Sequence, residues 1–500
     1  MRLVKFICLL LSLALLIGLS AACGVKDDPD VSKEASSDVP DSSGDVSEKE
    51  STEEEKGPLD HLETQDLDRT VTFLVENYAG GGYGSHEIMP FEDTSIAVYV
   101  SERNNLVEEK LGVTIDEIRT DNMINDLRIA AQGVADFDVA MPYMTSAGPL
   151  IAEGLFYNLY DFDDIINFDA PYWDKNAENS MSLGGKLYMT TGDFSVLTMD
   201  VTHCTLFNKT LIDEKHLEDP YTLVKEGEWT MDKMLAMAKE VTADTDGEPG
   251  ITFKDTVGLF INGNYANSLF IGSGESFAKK DPYGVPELTI YNNKSVGVVQ
   301  KIFEIFSDDK VLHMESFQTQ AQAAGYVNCY AAARDALGNN RALFVTISLS
   351  DVLSMSNYKD VCDFGLLVTP KYTKEQDRYY SYISIIFATG CVIPISNTEP
   401  EIAALVLEAM AAASTKTVKV NYYERILKLQ KMQDEESGDM LDFIFDNRVY
   451  DIGALYNWNS MRDFVSTCVT GTTNTFISSF DSQKSAFESA MQDTIDFFSN

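Results

Sequence analysis

A first apolar run at residues 9–19 is followed by a long polar stretch, residues 24–68, with no aromatic residue and hardly any aliphatic periodicity. Only after it does the chain take up the periods of folded structure. Thr70-Val71-Thr72-Phe73-Leu74-Val75-Glu76 is a β-rich run that breaks at Gly80, Gly81, Gly82 and Gly84, which predicts a strand with a loop at its carboxyl end. Apolar residues at helical spacing over 96–111, stopped by Gly112, predict a helix, and Val113-Thr114-Ile115 a second strand. Residues 124–132 read as another helix halted by Gly133, and Asp138-Val139-Ala140-Met141 as a third short, buried strand. Strands alternating with helices predict an α/β fold with a mostly parallel sheet and helices on both faces. Further helices are expected at 231–241, with Thr230 as N-cap, at 400–413, and between 427 and 500. There is no internal repeat.

Charge and composition narrow the partners. Asp plus Glu number 79 against 38 Lys plus Arg, and the resulting formal charge of −41 argues against binding nucleic acid or anionic lipid by a basic surface. At 500 residues and 44% hydrophobic, the chain exceeds what one core usually serves, so at least two lobes are expected. The polar stretch cannot bury enough surface to fold and reads as a disordered acidic tether. Of seven cysteines, Cys204, Cys329, Cys362, Cys391 and Cys468 lie scattered with no CxxC spacing, which favours buried thiols over a disulfide framework or a zinc site.

Arg2 and Lys5 precede the 9–19 run, which is too short to cross a bilayer, so residues 1–22 have the form of a secretory signal peptide. Ser20-Ala21-Ala22-Cys23 resembles the lipobox of bacterial lipoproteins, although Ser20 stands where an aliphatic residue is usual. The resemblance implies that Cys23 carries diacylglycerol and palmitate, and two acyl chains hold a protein on a membrane face stably. Ordinary cleavage after Ala22, leaving Cys23 as a thiol, is the alternative.

A second resemblance spans the folded part. Asp136-Phe137-Asp138-Val139-Ala140-Met141 and the helix after it, Pro171-Tyr172-Trp173, Gly184-Gly185-Lys186-Leu187-Tyr188, Thr205-Leu206-Phe207-Asn208-Lys209, Gly227-Glu228-Trp229-Thr230, Asn340-Arg341-Ala342-Leu343-Phe344 and Asp363-Phe364-Gly365-Leu366-Leu367 occur in one order. Together they resemble the extracellular solute-binding proteins (family 1 type) of bacterial ABC importers. The resemblance implies a two-lobe periplasmic-binding-protein-like fold (type II), with crossing hinge strands near 201–207, 364–370 and 417–420. It implies a lobe of 69–203 plus 366–416 and a lobe of 204–365 plus 417–500, behind a lipidated tether of 23–68. It also implies a monomer on the extracellular face of the cytoplasmic membrane. Such a protein captures a small solute, a carbohydrate being the leading expectation, and passes it to ABC permease subunits; a non-sugar polar solute and a surface glycan-degrading enzyme are the alternatives.

Candidate chemistry is sparse. The five histidines form no HExxH, and neither GxSxG, GxGxxG opening a helix nor GxxxxGK[ST] occurs, so neither catalysis nor a nucleotide site is supported. Loop residues after the first-lobe strands, Tyr83, Tyr143, Thr145, Ser146 and Asp193, are the ligand-binding candidates. Tyr456 and Trp458 sit where sugar-binding members of the family often present an aromatic platform, with Asn457 and Asn459 as polar neighbours; core packing is the competing reading. Trp229 reads as a structural staple ahead of the Thr230 cap. Asp244, Asp246, Glu248 and Asp255 fall in a calcium-loop register that Pro249 interrupts, so they form either a calcium site or a solvated acidic turn. No other cofactor is expected.

Overall fold

The computed structural model describes residues 57–77, 88–90, 96–133, 135–358, 360–428 and 435–499. The signal segment, Cys23, most of the tether and Tyr83 lie outside the described residues. Among these no helix is long and apolar enough to cross a membrane.

The first sheet has three parallel strands in the order β2-β1-β3: β1 (Arg69–Glu76), β2 (Val113–Thr120) and β3 (Val139–Met141). Val71, Phe73, Leu74 and Val75 of β1 are buried, as a strand covered on both faces requires. Helices α1 (Ala97–Leu111) and α2 (Met123–Ala130) make the connections, and α3 (Met144–Ala152) follows β3. Gly112 ends α1 at φ 64°, and a Cβ there would meet the Asp66 Cα at 2.6 Å. The disordered tether that composition predicts to residue 68 ends earlier: Leu59 is buried, and Gln65, Leu67 and Asp68 donate backbone N–H groups to Lys110, Leu111 and Gly112. Three leucines in twelve residues suffice because a ready surface at the end of α1 receives them.

Helix α4 (Lys175–Met181) follows, and the chain then enters a five-stranded mixed sheet, ordered β10-β4-β9-β5-β8. Its strands are β4 (His203–Asn208), β5 (Val257–Ile261), β8 (Val311–His313), β9 (Ala342–Ser348) and β10 (Phe364–Leu367), with the hairpin β6 (Ala278–Lys280) and β7 (Pro286–Leu288) outside it. β4 runs antiparallel to β9 and β10, whereas β5 is parallel to β8 and β9. Trp229 is fully buried, its indole N–H donating to the Val368 carbonyl, and the Thr230 hydroxyl accepts from Lys233 N–H at 3.2 Å to cap Met231–Val241; the staple reading describes both. The five cysteines are buried thiols outside any disulfide.

After β10 the chain returns to the first sheet, where Val392 bridges Ala140 and Thr389 bridges Tyr143, and the helix Pro400–Ser414 packs on α1. The third crossing is not a strand. Thr415–Lys419 forms a π-helical turn that carries Pro400–Ser414 straight into Val420–Lys428, with Thr417 Oγ1 donating to the Ala413 carbonyl. The helices from Ile452 onward touch both sheets' surroundings: a Cβ on Gly148 of α3 would lie 2.7 Å from the Leu455 carbonyl, and one on Gly453 2.8 Å from Phe277.

Candidate functional site

Parallel strands bring their carboxyl ends to one edge, where ligand crevices of α/β sheets form. In the first sheet that edge holds Glu76, Thr120 and, after β3, Tyr143 at the head of α3. Tyr143, Thr145 and Ser146 are half-buried there. The N–H groups of Met144 and Thr145 donate to the carbonyls of Ala388 (2.8 Å) and Ile385 (3.2 Å), and the Tyr143 ring meets Phe387 edge-on at 6.0 Å. The head of α3 is therefore fastened to the returning segment 383–389.

The same segment reaches the second sheet. Ile383 bridges Thr202, and Ser384 N–H donates to the Val201 carbonyl at 3.1 Å. Because β4 opposes β9, His203 pairs with Ser348 at the carboxyl end of β9, and Leu349 N–H donates to the Thr202 carbonyl. Both sheets thus direct strand carboxyl ends at the two crossings, 200–203 and 383–389. Around the second-sheet end stand Tyr265 and Ser268. His203 Nδ1 lies 2.5 Å from Ser268 Oγ, its ring is parallel to that of Tyr265 at 6.2 Å, and Tyr382 meets it edge-on at 5.4 Å.

The ionisable groups at these strand ends are tuned by burial. His203 is pushed down to about 4 by desolvation, so its ring is neutral at pH 7. The Glu76 carboxyl is raised to about 7, mainly by desolvation, against a lowering backbone hydrogen bond from Tyr143 and with a further rise from Asp121. Burial also holds the Cys204 thiol well above its ordinary range. Hydroxyls, rings and near-neutral groups offer hydrogen bonding and apolar contact. Glu76, His203, Tyr265 and Phe387 were not singled out in the sequence; Glu76 had a signal, as the last residue of a strand before a glycine-rich stretch.

Other predicted residues lie elsewhere. Asp193 lines a separate cavity of about 520 Å³ with Trp173, Lys419, Tyr423 and Phe445, and its carboxylate is taken by Lys419 Nζ (2.8 Å) and Thr415 Oγ1 (3.0 Å). Tyr456 and Trp458 require a correction. Trp458 is 3% exposed, its indole N–H donates to Thr494 Oγ1 at 2.8 Å, and its ring is stacked on Tyr456 at 5.8 Å, so the pair is packed under the C-terminal helix Phe476–Ser499 and forms no exposed platform. The asparagines that suggested a polar setting have a backbone reason. Asn457 and Asn459 hold φ 47°, a left-handed conformation that asparagine tolerates better than most residues.

In the acidic turn, single carboxylate oxygens of Asp244, Asp246 and Asp255 lie within 4.8 Å of one another, and Glu248 is outside that set. Asp255 already accepts backbone N–H groups from Thr245 (2.6 Å), Asp246 (2.9 Å) and Thr252 (2.8 Å), while Asp246 accepts the Thr252 hydroxyl. These bonds close the turn from within.

Comparison with known proteins adds the last findings. A family model described as bacterial extracellular solute-binding protein matches residues 106–422. No curated protein matches the chain. Solved structures do. The maltose-binding periplasmic protein MalE of Listeria monocytogenes, in complex with maltose, is similar at TM-score 0.53 and 14% identity, over 85% of this chain and 98% of that one. The GacH receptor of Streptomyces glaucescens, unliganded and with acarbose, is similar at 0.52 and 13%, over 87% and 99%. The maltose/maltodextrin-binding domain MalE of Bdellovibrio bacteriovorus, bound to maltotriose, is similar at 0.51 and 15%, over 86% and 100%. At these identities the likeness shows the fold, a two-lobe α/β binding protein.

Proposed function

The chain belongs to the bacterial extracellular solute-binding protein family, and from that membership we propose that it captures a sugar or oligosaccharide outside the cytoplasm and delivers it to the membrane permease of an ABC importer. The observation that carries this reading is the convergence of strand carboxyl ends from both sheets on the crossings 200–203 and 383–389. The groups gathered there suit a neutral polyol: the hydroxyls of the half-buried Tyr143, Thr145 and Ser146 for hydrogen bonds, and the rings of Tyr143 and Phe387 for apolar sugar faces. None of these side chains is Lys or Arg, which a carboxylate or phosphate ligand would call for. The sugars held by the MalE and GacH structures lend support.

No bond is made or broken in this reading, in keeping with the solute-binding family. Lobes of 69–203 plus 366–416 and 204–365 plus 417–500 close on the solute by a hinge at the crossings. Cys23 carries the lipid that keeps the protein on the outer face of the membrane, with the acidic segment as spacer. A thermal-shift screen of the purified chain against neutral sugars, amino acids, peptides and polyamines tests the ligand class. A sugar at 100 times its Kd adds about 2.7 kcal/mol and raises Tm measurably. A shift by amino acids, peptides or polyamines with none by any sugar would refute the reading.

A further inference from the structure

A second cavity, of about 320 Å³, lies among α4, β6, the segment 378–380 and the short strand Arg448–Val449. None of its lining residues belongs to the strand-end crevice. In a chain of formal charge −41, its walls carry four cations, Lys279, Lys280, Arg378 and Arg448, against two carboxylates, Glu275 and Asp451. Among the described residues neither carboxylate is ion-paired with them. Glu275 is bound to Lys294 Nζ (3.1 Å) and Asn292 Nδ2 (2.7 Å). Asp451 is buried, accepts the N–H groups of Phe277 (2.8 Å) and Ala454 (3.1 Å), and is raised to about 6 by burial.

Of the four cations only Arg448 has a carboxylate partner among the described residues, Asp174 at 2.6 Å. Its Nε is buried without a hydrogen-bond partner, a condition rare enough in folded proteins to need a cause. Lys280 Nζ is half-buried and donates only to Ser182, through its carbonyl (2.8 Å) and hydroxyl (3.1 Å), and desolvation lowers its pKa. Arg378 lies over the Tyr380 ring at 4.7 Å, and Lys279 is exposed. A solvated basic face would spread such charges outward. Here three separate segments place them around one concavity, to which α4 adds the polar Asn176, Asn179 and Ser180.

We propose that this cavity is an anion site for a compact, doubly charged oxyanion of the phosphate class, held by Lys279, Lys280, Arg378 and Arg448. Charge-assisted hydrogen bonds from lysine and arginine to phosphate oxygens are the strong kind, and two guanidinium groups match that geometry. The site is independent of the sugar reading.

Calorimetric titration of the full purified chain with inorganic phosphate, at ionic strength fixed with chloride, tests it, with succinate as the carboxylate arm. Saturable binding of one phosphate is expected, at least about tenfold weaker, or about 1.4 kcal/mol, in the double variant Lys279→Gln with Arg378→Gln. The unliganded Tm of that variant should match the parent, because both side chains are exposed and neither is in an ion pair. Arg448→Lys, which keeps the charge but loses the fork, should also weaken binding. No saturable heat up to about 10 mM phosphate would overturn the proposal, since a site of millimolar affinity, about −4.1 kcal/mol, would be well occupied there. So would affinity unchanged in the double variant, or binding of succinate without phosphate.

Discussion

At the scale of single residues, burial decides which polar and aromatic groups can meet a ligand. Trp458 has a family position and polar neighbours in its favour, yet its ring is enclosed and its N–H is taken by Thr494. Trp458→Ala should therefore cost the fold about 3–5 kcal/mol in denaturant unfolding and leave sugar affinity of the folded protein unchanged; a stable variant that binds poorly would restore the platform. Glu76 makes a pH prediction. Its folded pKa, raised to about 7, exceeds the ordinary carboxyl value of 4.5, so between those values the folded state binds more protons than the unfolded one. Stability from this group is full below pH 4.5 and is lost as pH rises through 7. Glu76→Gln should flatten that fall and be more stable than the parent at pH 8; a variant curve parallel to the parent's would remove the assignment. His203 acts in the opposite sense: its pKa of about 4 lies below 6.5, so its contribution is full above 6.5 and is lost as pH falls through 4. Sequence pointed to Tyr143, Thr145 and Ser146 because they follow a strand, but no local pattern announces which charges a fold will desolvate.

At the scale of elements, local signals were legible wherever a period met a stop. Gly112 ends α1 and Thr230 begins its helix as their residue types predict. The π turn Thr415–Lys419 was not legible. An alanine-rich helix that finds packing on α1 and an anchor at Asp193 continues instead of crossing as a strand. Residues 57–68 escaped for a related reason, since three leucines carry little signal until the end of α1 is there to receive them. The acidic turn shows spacing without commitment to a cation. With Asp255 accepting three backbone N–H groups, Asp255→Ala should destabilise the protein by about 1–3 kcal/mol, and millimolar calcium should leave the parent's Tm unchanged. A calcium-dependent rise in Tm that Asp255→Ala abolishes would show instead that these carboxylates hold a metal.

At the scale of the whole molecule, the decisive feature is where the two sheets point. Their carboxyl ends meet the same two crossings, so one short region, 383–389, touches the head of α3 and the start of β4 together. In the proposed reading a solute seated there would contact both lobes at once, and its binding energy would drive their closure. The class of fold was readable from the order of motifs spread along the chain, because that order reflects a path through two sheets. The ligand was not, because its recognition depends on side chains hundreds of residues apart. Amide hydrogen exchange, with and without the sugar that raises Tm most, tests the crevice most directly. Slowed exchange is expected at 143–146, 201–203 and 383–389, whereas protection confined to the Asp193 cavity or the C-terminal helices, with those three segments unchanged, would contradict it.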